Sequence, residues 1–223
     1  MTVEAREQLR GALEGLAGLD WDDVVAVEGA SRPLLERLKD DSGLLGGLLG
    51  GSREDARLRE LSEHYDILDK VVLYDDSASG FRLRLHVFLP GYFDRPHNHR
   101  WSYSSLILRG AYQHFIYGSE EGLSEETDVS ALRPRMVRTE SVGSSYTLDH
   151  SMVHAVVAEP YTVSLILRGP ARKDRFLVMD RQTNKAWWQY GASDETEQER
   201  DAKRMDDARF DETVSRLREL GVI

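Results

Sequence analysis

Apolar residues in the first 65 positions recur at helical intervals. Leu9, Leu13 and Leu16 share one helical face; Thr2 can cap that helix and Glu4 suits its first turn. Asp20 and Ser31 offer further caps, and Pro33 sits where a helix can begin. Gly43 to Gly51 alternates leucine pairs with glycine, without the Lys-Ser/Thr ending of a phosphate loop or the spacing of a dinucleotide fingerprint. It reads as a helix-breaking turn, with a mobile lid as the alternative. Ser52 and Asp55 then resemble a cap for a helix over roughly Arg53 to His64.

From residue 69 the pattern shifts to short β-rich runs divided by turn residues. They are Lys70–Tyr74, Phe81–Leu89, His99–Leu108, Tyr112–Tyr117, Met136–Val142, Tyr146–Leu148, Val153–Val157, Thr162–Leu167, Arg175–Met179 and Ala186–Tyr190. Such regular spacing predicts a β-sandwich or barrel. The clearest alternation sets Phe81, Leu83, Leu85 and Val87 on one face, and Arg82, Arg84, His86 and Phe88 on the other. That second face is either solvated surface or the lumen of a barrel. The sextet Ser105–Gly110 recurs letter for letter as Ser164–Gly169, which suggests structurally equivalent strands, a chance repeat being the alternative. The tail from Asp194 is highly charged. It carries Phe210, Val214, Leu217 and Leu220 at helical spacing, with Glu199 and Lys203 as an i,i+4 pair, so it reads as a docking or dimer-forming helix. The chain thus divides into a helical extension (1–68), a barrel (69–191) and a charged C-terminal helix (192–223).

Composition narrows the chemistry. The 223 residues carry a formal net charge of −10, which argues against nucleic acid or an anionic membrane as the main partner and favours small molecules or proteins. No apolar run reaches the roughly 20 residues of a membrane helix, and Met1–Arg10 lacks a secretory pattern, so a cytoplasmic protein is expected. Cysteine is absent. Thiolate metal sites and a cysteine nucleophile are therefore excluded, and a metal must be held by His, Asp or Glu.

Four of the seven histidines fall in two clusters, His97 with His99 and His150 with His154. Residues i and i+2 of an extended segment point to the same side, so His97 and His99 can converge on one ion. A third imidazole from a neighbouring strand would leave coordination positions open for substrate and for water or oxygen. His150 reads as a fourth ligand, a proton shuttle or an exposed turn residue; His86 and His114 read as hydrogen-bonded core or surface residues. Tyr103, Tyr112, Trp101 and Tyr146 either line a pocket or pack the barrel, and Tyr103 lies four residues after His99.

The stretch Gly91-Tyr-Phe-Asp-Arg-Pro-His97-Asn-His99, closing at Gly110, and the later Gly143 to His154 resemble the cupin superfamily over about Lys70 to Asp180. The resemblance implies a mainly β fold, a double-stranded β-helix or jelly-roll barrel with N-terminal helices and a C-terminal helix, and carries the metal-binding histidines onto His97, His99 and His154. Many cupins have a glutamate after the His-x-His pair, where this chain has Tyr103 or Ser104. The resulting three-histidine set looks like the cysteine dioxygenase type of thiol dioxygenase, whose Pro-x-His-x-His and nearby Trp the chain approximates. That likeness implies Fe(II), a carboxylate-bearing substrate held by Arg82 or Arg84 beside Trp101, dioxygen as co-substrate, and Tyr103 or His150 handling a proton. The Cys–Tyr crosslink of some members cannot form here. The alternatives are Zn, Ni or Mn in a non-redox isomerase, lyase or bond-forming enzyme, or a small-ligand sensor. A homodimer is compatible with each.

Overall fold

The computed structural model describes residues 3–191 and 194–223, the side chains of 3–6 excepted. Thr2 lies outside the described residues, as does the side chain of Glu4. The helices are α1 (Val3–Ala17), α2 (Val24–Asp40), α3 (Ser42–Glu54), α4 (Ala56–Glu60), α5 (Glu197–Lys203) and α6 (Asp207–Glu219). The strands are β1 (Glu63–Tyr65), β2 (Leu68–Asp75), β3 (Arg82–Phe88), β4 (Tyr103–Arg109), β5 (Ala111–Ser119), β6 (Met136–Ser141), β7 (Ser145–Leu148), β8 (Met152–Ala158), β9 (Thr162–Arg168), β10 (Arg175–Asp180) and β11 (Lys185–Tyr190).

Two antiparallel layers face each other. One is a six-stranded sheet in the order β1-β2-β3-β9-β4-β7; the other comprises the three-stranded β6-β5-β8 and the hairpin β10-β11. The segment around His97 joins those two parts. His97 bridges to His154 of β8 on one side and to Val178 of β10 on the other, and Met179 N donates to Pro96 O at 2.8 Å. Antiparallel sheets without parallel crossovers, closed face to face around an interior, form the jelly-roll barrel.

The outer face of the six-stranded sheet carries Leu83, Leu85, Val87, Leu106, Leu165 and Leu167, and these pack against the leucines of the N-terminal helices in one continuous core. Phe210 and Leu217 of α6 join the same core. The terminal helix therefore docks on its own barrel. Arg209 of α6 fastens it, with its guanidinium on the buried Asp69 at 2.7 and 3.1 Å.

Several local expectations change. Gly43–Gly51 is neither turn nor lid but the body of α3. Leu44, Leu45, Leu48 and Leu49 are all buried, and burying each is worth roughly 1.5–3 kcal/mol, against about 1 kcal/mol lost per helical glycine. Ser31 and Pro33 lie inside α2, whose N-cap is Asp23. Ser31 Oγ instead donates to Val27 O at 2.5 Å and lies 2.6 Å from Ser104 Oγ on β4, fixing the helix to the sheet. Ser52 lies inside α3, and Asp55 caps only the short α4, after which β1 replaces the rest of the expected helix. Glu199 closes a capping box with Thr196, while Lys203 pairs with Glu63 and Glu195.

The two identical sextets lie side by side as β4 and β9. They pair antiparallel with Leu106 opposite Leu165, Ser105 opposite Ile166 and Ile107 opposite Ser164. The identity is thus a local two-fold at the centre of the sheet. The closing glycines serve different needs. Gly110 has φ +73°, and a Cβ there would meet Thr162 Oγ1 at 2.5 Å; a Cβ on Gly169 would strike the Trp21 ring at 2.3 Å.

Candidate metal centre

The space between the layers is a cavity of about 510 Å³, lined from both sheets. The second face of β3, with Arg82, Arg84, His86 and Phe88, lines this lumen, while the apolar face meets the helices. That orientation follows from which face has an apolar partner: the helices cover one side of the sheet, so the polar side turns inward.

His97, His99 and His154 converge here, with one ligand nitrogen from each lying within 4.8 Å of the others. Backbone pairing sets two of them. His97 N donates to His154 O and His154 N to His97 O, both at 2.8 Å. Between the two ligands, the fully buried Asn98 points away from the cavity. Its Oδ1 accepts from Leu177 N at 2.8 Å and its Nδ2 donates to Glu120. The alternation that aims both imidazoles inward therefore turns Asn98 outward as their anchor. Sequence reasoning missed it, although its place between the histidines was the signal.

Tautomers follow from the outer partners. The Glu140 carboxylate can only accept, so His114 Nδ1–H donates to it at 3.3 Å, and His114 Nε2 then accepts from His154 Nδ1–H at 3.0 Å. Arg138 closes this chain on Glu140 at 2.9 Å. His97 Nδ1–H donates to Arg95 O at 2.8 Å, with Asp94 Oδ2 at 3.3 Å. Both histidines thus present the Nε2 lone pair inward. His99 Nε2 lies 2.9 Å from His154 Nε2. Nitrogens on adjacent positions of an ion with metal–nitrogen bonds of about 2.1 Å would be roughly 3 Å apart, so the donor set fits a divalent metal. Burial, then the neighbouring His97, pushes the His99 and His154 imidazoles well below their ordinary range and keeps them neutral, as ligation requires.

Around the histidines, Trp101 stacks on His99 at 4.5 Å between centroids, and the Tyr103 hydroxyl lies 3.3 Å from His154 Nε2. Tyr112 and Tyr146 share a hydrogen bond of 2.6 Å. Burial pushes all three phenols up, so they stay protonated donors at neutral pH.

The other expected site residues divide. Arg82 lines the cavity but is held by Asp75 at 2.6 Å; Arg84 lines it with its Nε unpartnered. His150 stands outside the cavity lining. Its Nδ1 lies 3.2 Å from Asp149 and 3.9 Å from Asp22, because the tight turn before β8 swings it toward the segment preceding α2. Among the described residues it belongs neither to the three-histidine group nor to the residues that line the cavity. The structure adds Arg100, Arg168 and His86 to the lining and His114 behind His154. Arg168 shares the lumen face with Ile166 by the period of two, a signal present in the repeated sextet. No helix of the described residues is long and apolar enough to cross a membrane.

No protein-family model and no curated protein matches the chain. Solved structures similar to it include KdgF from Halomonas sp., 20% identical over 48% of this chain and 84% of that one, with a TM-score of 0.37. An RmlC-like cupin from Shewanella frigidimarina is 18% identical over 51% of this chain and 86% of that one, TM-score 0.38. The DMSP lyase DddQ from Ruegeria pomeroyi is 14% identical over 51% of this chain and 52% of that one, TM-score 0.38. The fold reading rests on the strand pairing itself. With two facing antiparallel sheets and three histidines gathered between them, the chain has a jelly-roll barrel architecture with a candidate metal centre in its interior.

Proposed function

We propose that this protein is a mononuclear non-haem iron oxygenase acting on a small carboxylate-bearing substrate. The observation that carries the reading is the convergence of three imidazoles at a 510 Å³ cavity that also contains guanidinium groups. A ferrous ion held by His97, His99 and His154 would supply open coordination positions and one-electron chemistry toward dioxygen. Three neutral ligands leave the ion its full charge, which favours an anionic substrate.

The chain's own groups have definable tasks. The Arg138–Glu140–His114 chain fixes the His154 tautomer and ring orientation. Trp101 holds the plane of His99 by stacking and walls the cavity beside it. Tyr103, protonated and within reach of the ligand nitrogens, is the group able to donate a hydrogen bond or proton to whatever occupies the centre. Arg84 orients the substrate carboxylate, in preference to Arg82, which Asp75 already engages.

Elemental analysis of the purified protein, followed by oxygen uptake with small amino-acid-like carboxylates, tests the reading. Stoichiometric iron with substrate-dependent uptake is expected. Stoichiometric zinc, nickel or manganese without uptake would refute the oxygenase and leave a non-redox metalloenzyme; absence of any bound metal would refute both. His99→Ala is expected to abolish metal binding.

A further inference from the structure

At one end of the cavity, guanidinium groups outnumber the carboxylates close enough to pair with them. Lys70 is 3.5 Å from Glu63, Lys203 is 3.1 Å from Glu63 and 2.7 Å from Glu195, and Arg82 is 2.6 Å from Asp75. Arg84, Arg100 and Arg168 remain. Each has a buried Nε without a hydrogen-bond partner, and none forms an ion pair with a described carboxylate. They reach the cavity from β3, from the loop after His99 and from β9. Arg168 sits directly across from Arg82 in the sheet, with Arg84 opposite Ile166, so like charges are placed on neighbouring positions, and Asp75, engaged by Arg82, offsets only part of the repulsion on Arg168.

Local structure holds these groups in place. Arg168 Nη1 donates to the carbonyls of Gly80 at 3.1 Å and Gly169 at 2.9 Å, and its guanidinium lies over the Trp101 ring at 5.7 Å. A Cβ on Gly191 would come within 0.9 Å of Arg100 Nη1, so the Arg100 guanidinium occupies the space that glycine leaves open. Burial, with Arg84 and Arg82 adding repulsion, pushes Arg168 down to about 8. Trp101 stacks on His99 and carries Arg168 above its ring, so one indole stands between the histidine centre and the arginine end.

We propose that Arg84, Arg100 and Arg168 form a subsite for a doubly charged oxyanion end of the substrate, a phosphate monoester or a compact dicarboxylate, set apart from the metal centre by Trp101. A single carboxylate would neutralise only one of three guanidiniums, whereas a dianion can accept from several forks at once. The proposal rests on reading the cavity as the substrate site and narrows the substrate class. The chain as a whole is strongly acidic, so the site draws an anion by this local cluster alone.

Titration calorimetry of the metal-loaded full-length protein with inorganic phosphate, malonate and acetate, at fixed ionic strength, tests it. Phosphate or malonate is expected to bind at least tenfold more tightly than acetate, and whichever leads identifies the source of the dianion. Arg84→Gln and Arg168→Gln should each weaken that binding roughly tenfold or more, since each removes a charge-assisted bond. Arg168→Lys should recover only part, because the charge stays and the fork is lost. Arg84→Gln should not melt lower than wild type, because it removes a repelling charge without breaking an ion pair, whereas Arg168→Gln also loses its bonds to Gly80 and Gly169 and should melt somewhat lower. His99→Ala, which loses the metal, should keep dianion affinity within about twofold. The proposal fails if phosphate and malonate bind no more tightly than acetate. It also fails if His99→Ala abolishes the binding while the arginine variants retain it, which would put the anion on the metal. Loss of the oxygenase reading would leave these titrations unaffected, so the two can fail separately.

Discussion

Asn98 offers a direct test of how the two neighbouring ligands are held. In Asn98→Ala, the buried Leu177 N–H loses its 2.8 Å side-chain acceptor and Glu120 loses the amide donor, although Lys173 at 2.7 Å still engages that carboxylate. An unsatisfied buried N–H costs about 1–3 kcal/mol, and a lost bond to a charged group about 1.5–3 kcal/mol. With Glu120 still partnered, the expected loss of folding stability is about 2–4 kcal/mol. A stronger consequence concerns the metal. His97 and His99 flank this anchor, and the backbone bond from Asn98 N to Leu177 O is only 3.3 Å, so the pair would lose its lateral fix. Groups that orient ligands typically contribute 10- to 100-fold in metal affinity. Urea unfolding and competitive metal titration measure the two effects. A variant that loses stability but binds metal as wild type does would refute the reasoning, by showing that the His97–His154 bridge alone positions the ligands.

The remaining predictions concern the outer shell, the glycines and pH. His114→Phe removes the acceptor that fixes His154 Nδ1–H and leaves Glu140 buried beside Arg138 only; metal affinity should fall 10- to 100-fold, and an unchanged titration would show that the relay does not orient His154. Gly46→Ala in α3 places a methyl in open space and should stabilise the protein by about 0.5–1 kcal/mol, whereas Gly110→Ala, with its positive φ and its contact on Thr162, should destabilise it by about 1–3 kcal/mol. Thermal or urea unfolding checks both signs. In the metal-free protein, His86, His99 and His154 are pushed well below the imidazole range, mainly by burial. The unfolded chain takes up protons near pH 6.5 while the folded one does not, so stability is full above that pH and falls as pH drops from about 6.5 to 5, by at most about 1.4 kcal/mol per group per pH unit. Equal urea midpoints at pH 7.5 and 5.5 would contradict it.

What the sequence determined by itself was periodic or local. β-Rich runs divided by turn residues placed ten strands, and the His-x-His pair could be named because two ligands two residues apart share a side of an extended segment, whereas His154 was named through the resemblance to the cupin pattern. It also put Arg82, Arg84 and His86 on one face of β3. Whether that face looked into water or into a cavity depended on what covered the other side, and only the docking of the N-terminal leucines on Leu83 and Leu85 decided it. The same burial overrode glycine's poor helix propensity in α3, a contest local preference cannot judge. Tertiary structure also gave His114 its place behind His154 and Asn98 its anchor on Leu177, since both partners arrive from strands distant in the chain. It moved His150 out of the cavity through one turn. Among the described residues it left Arg84, Arg100 and Arg168 without an ion-pair partner, because ion pairing depends on which groups meet in space.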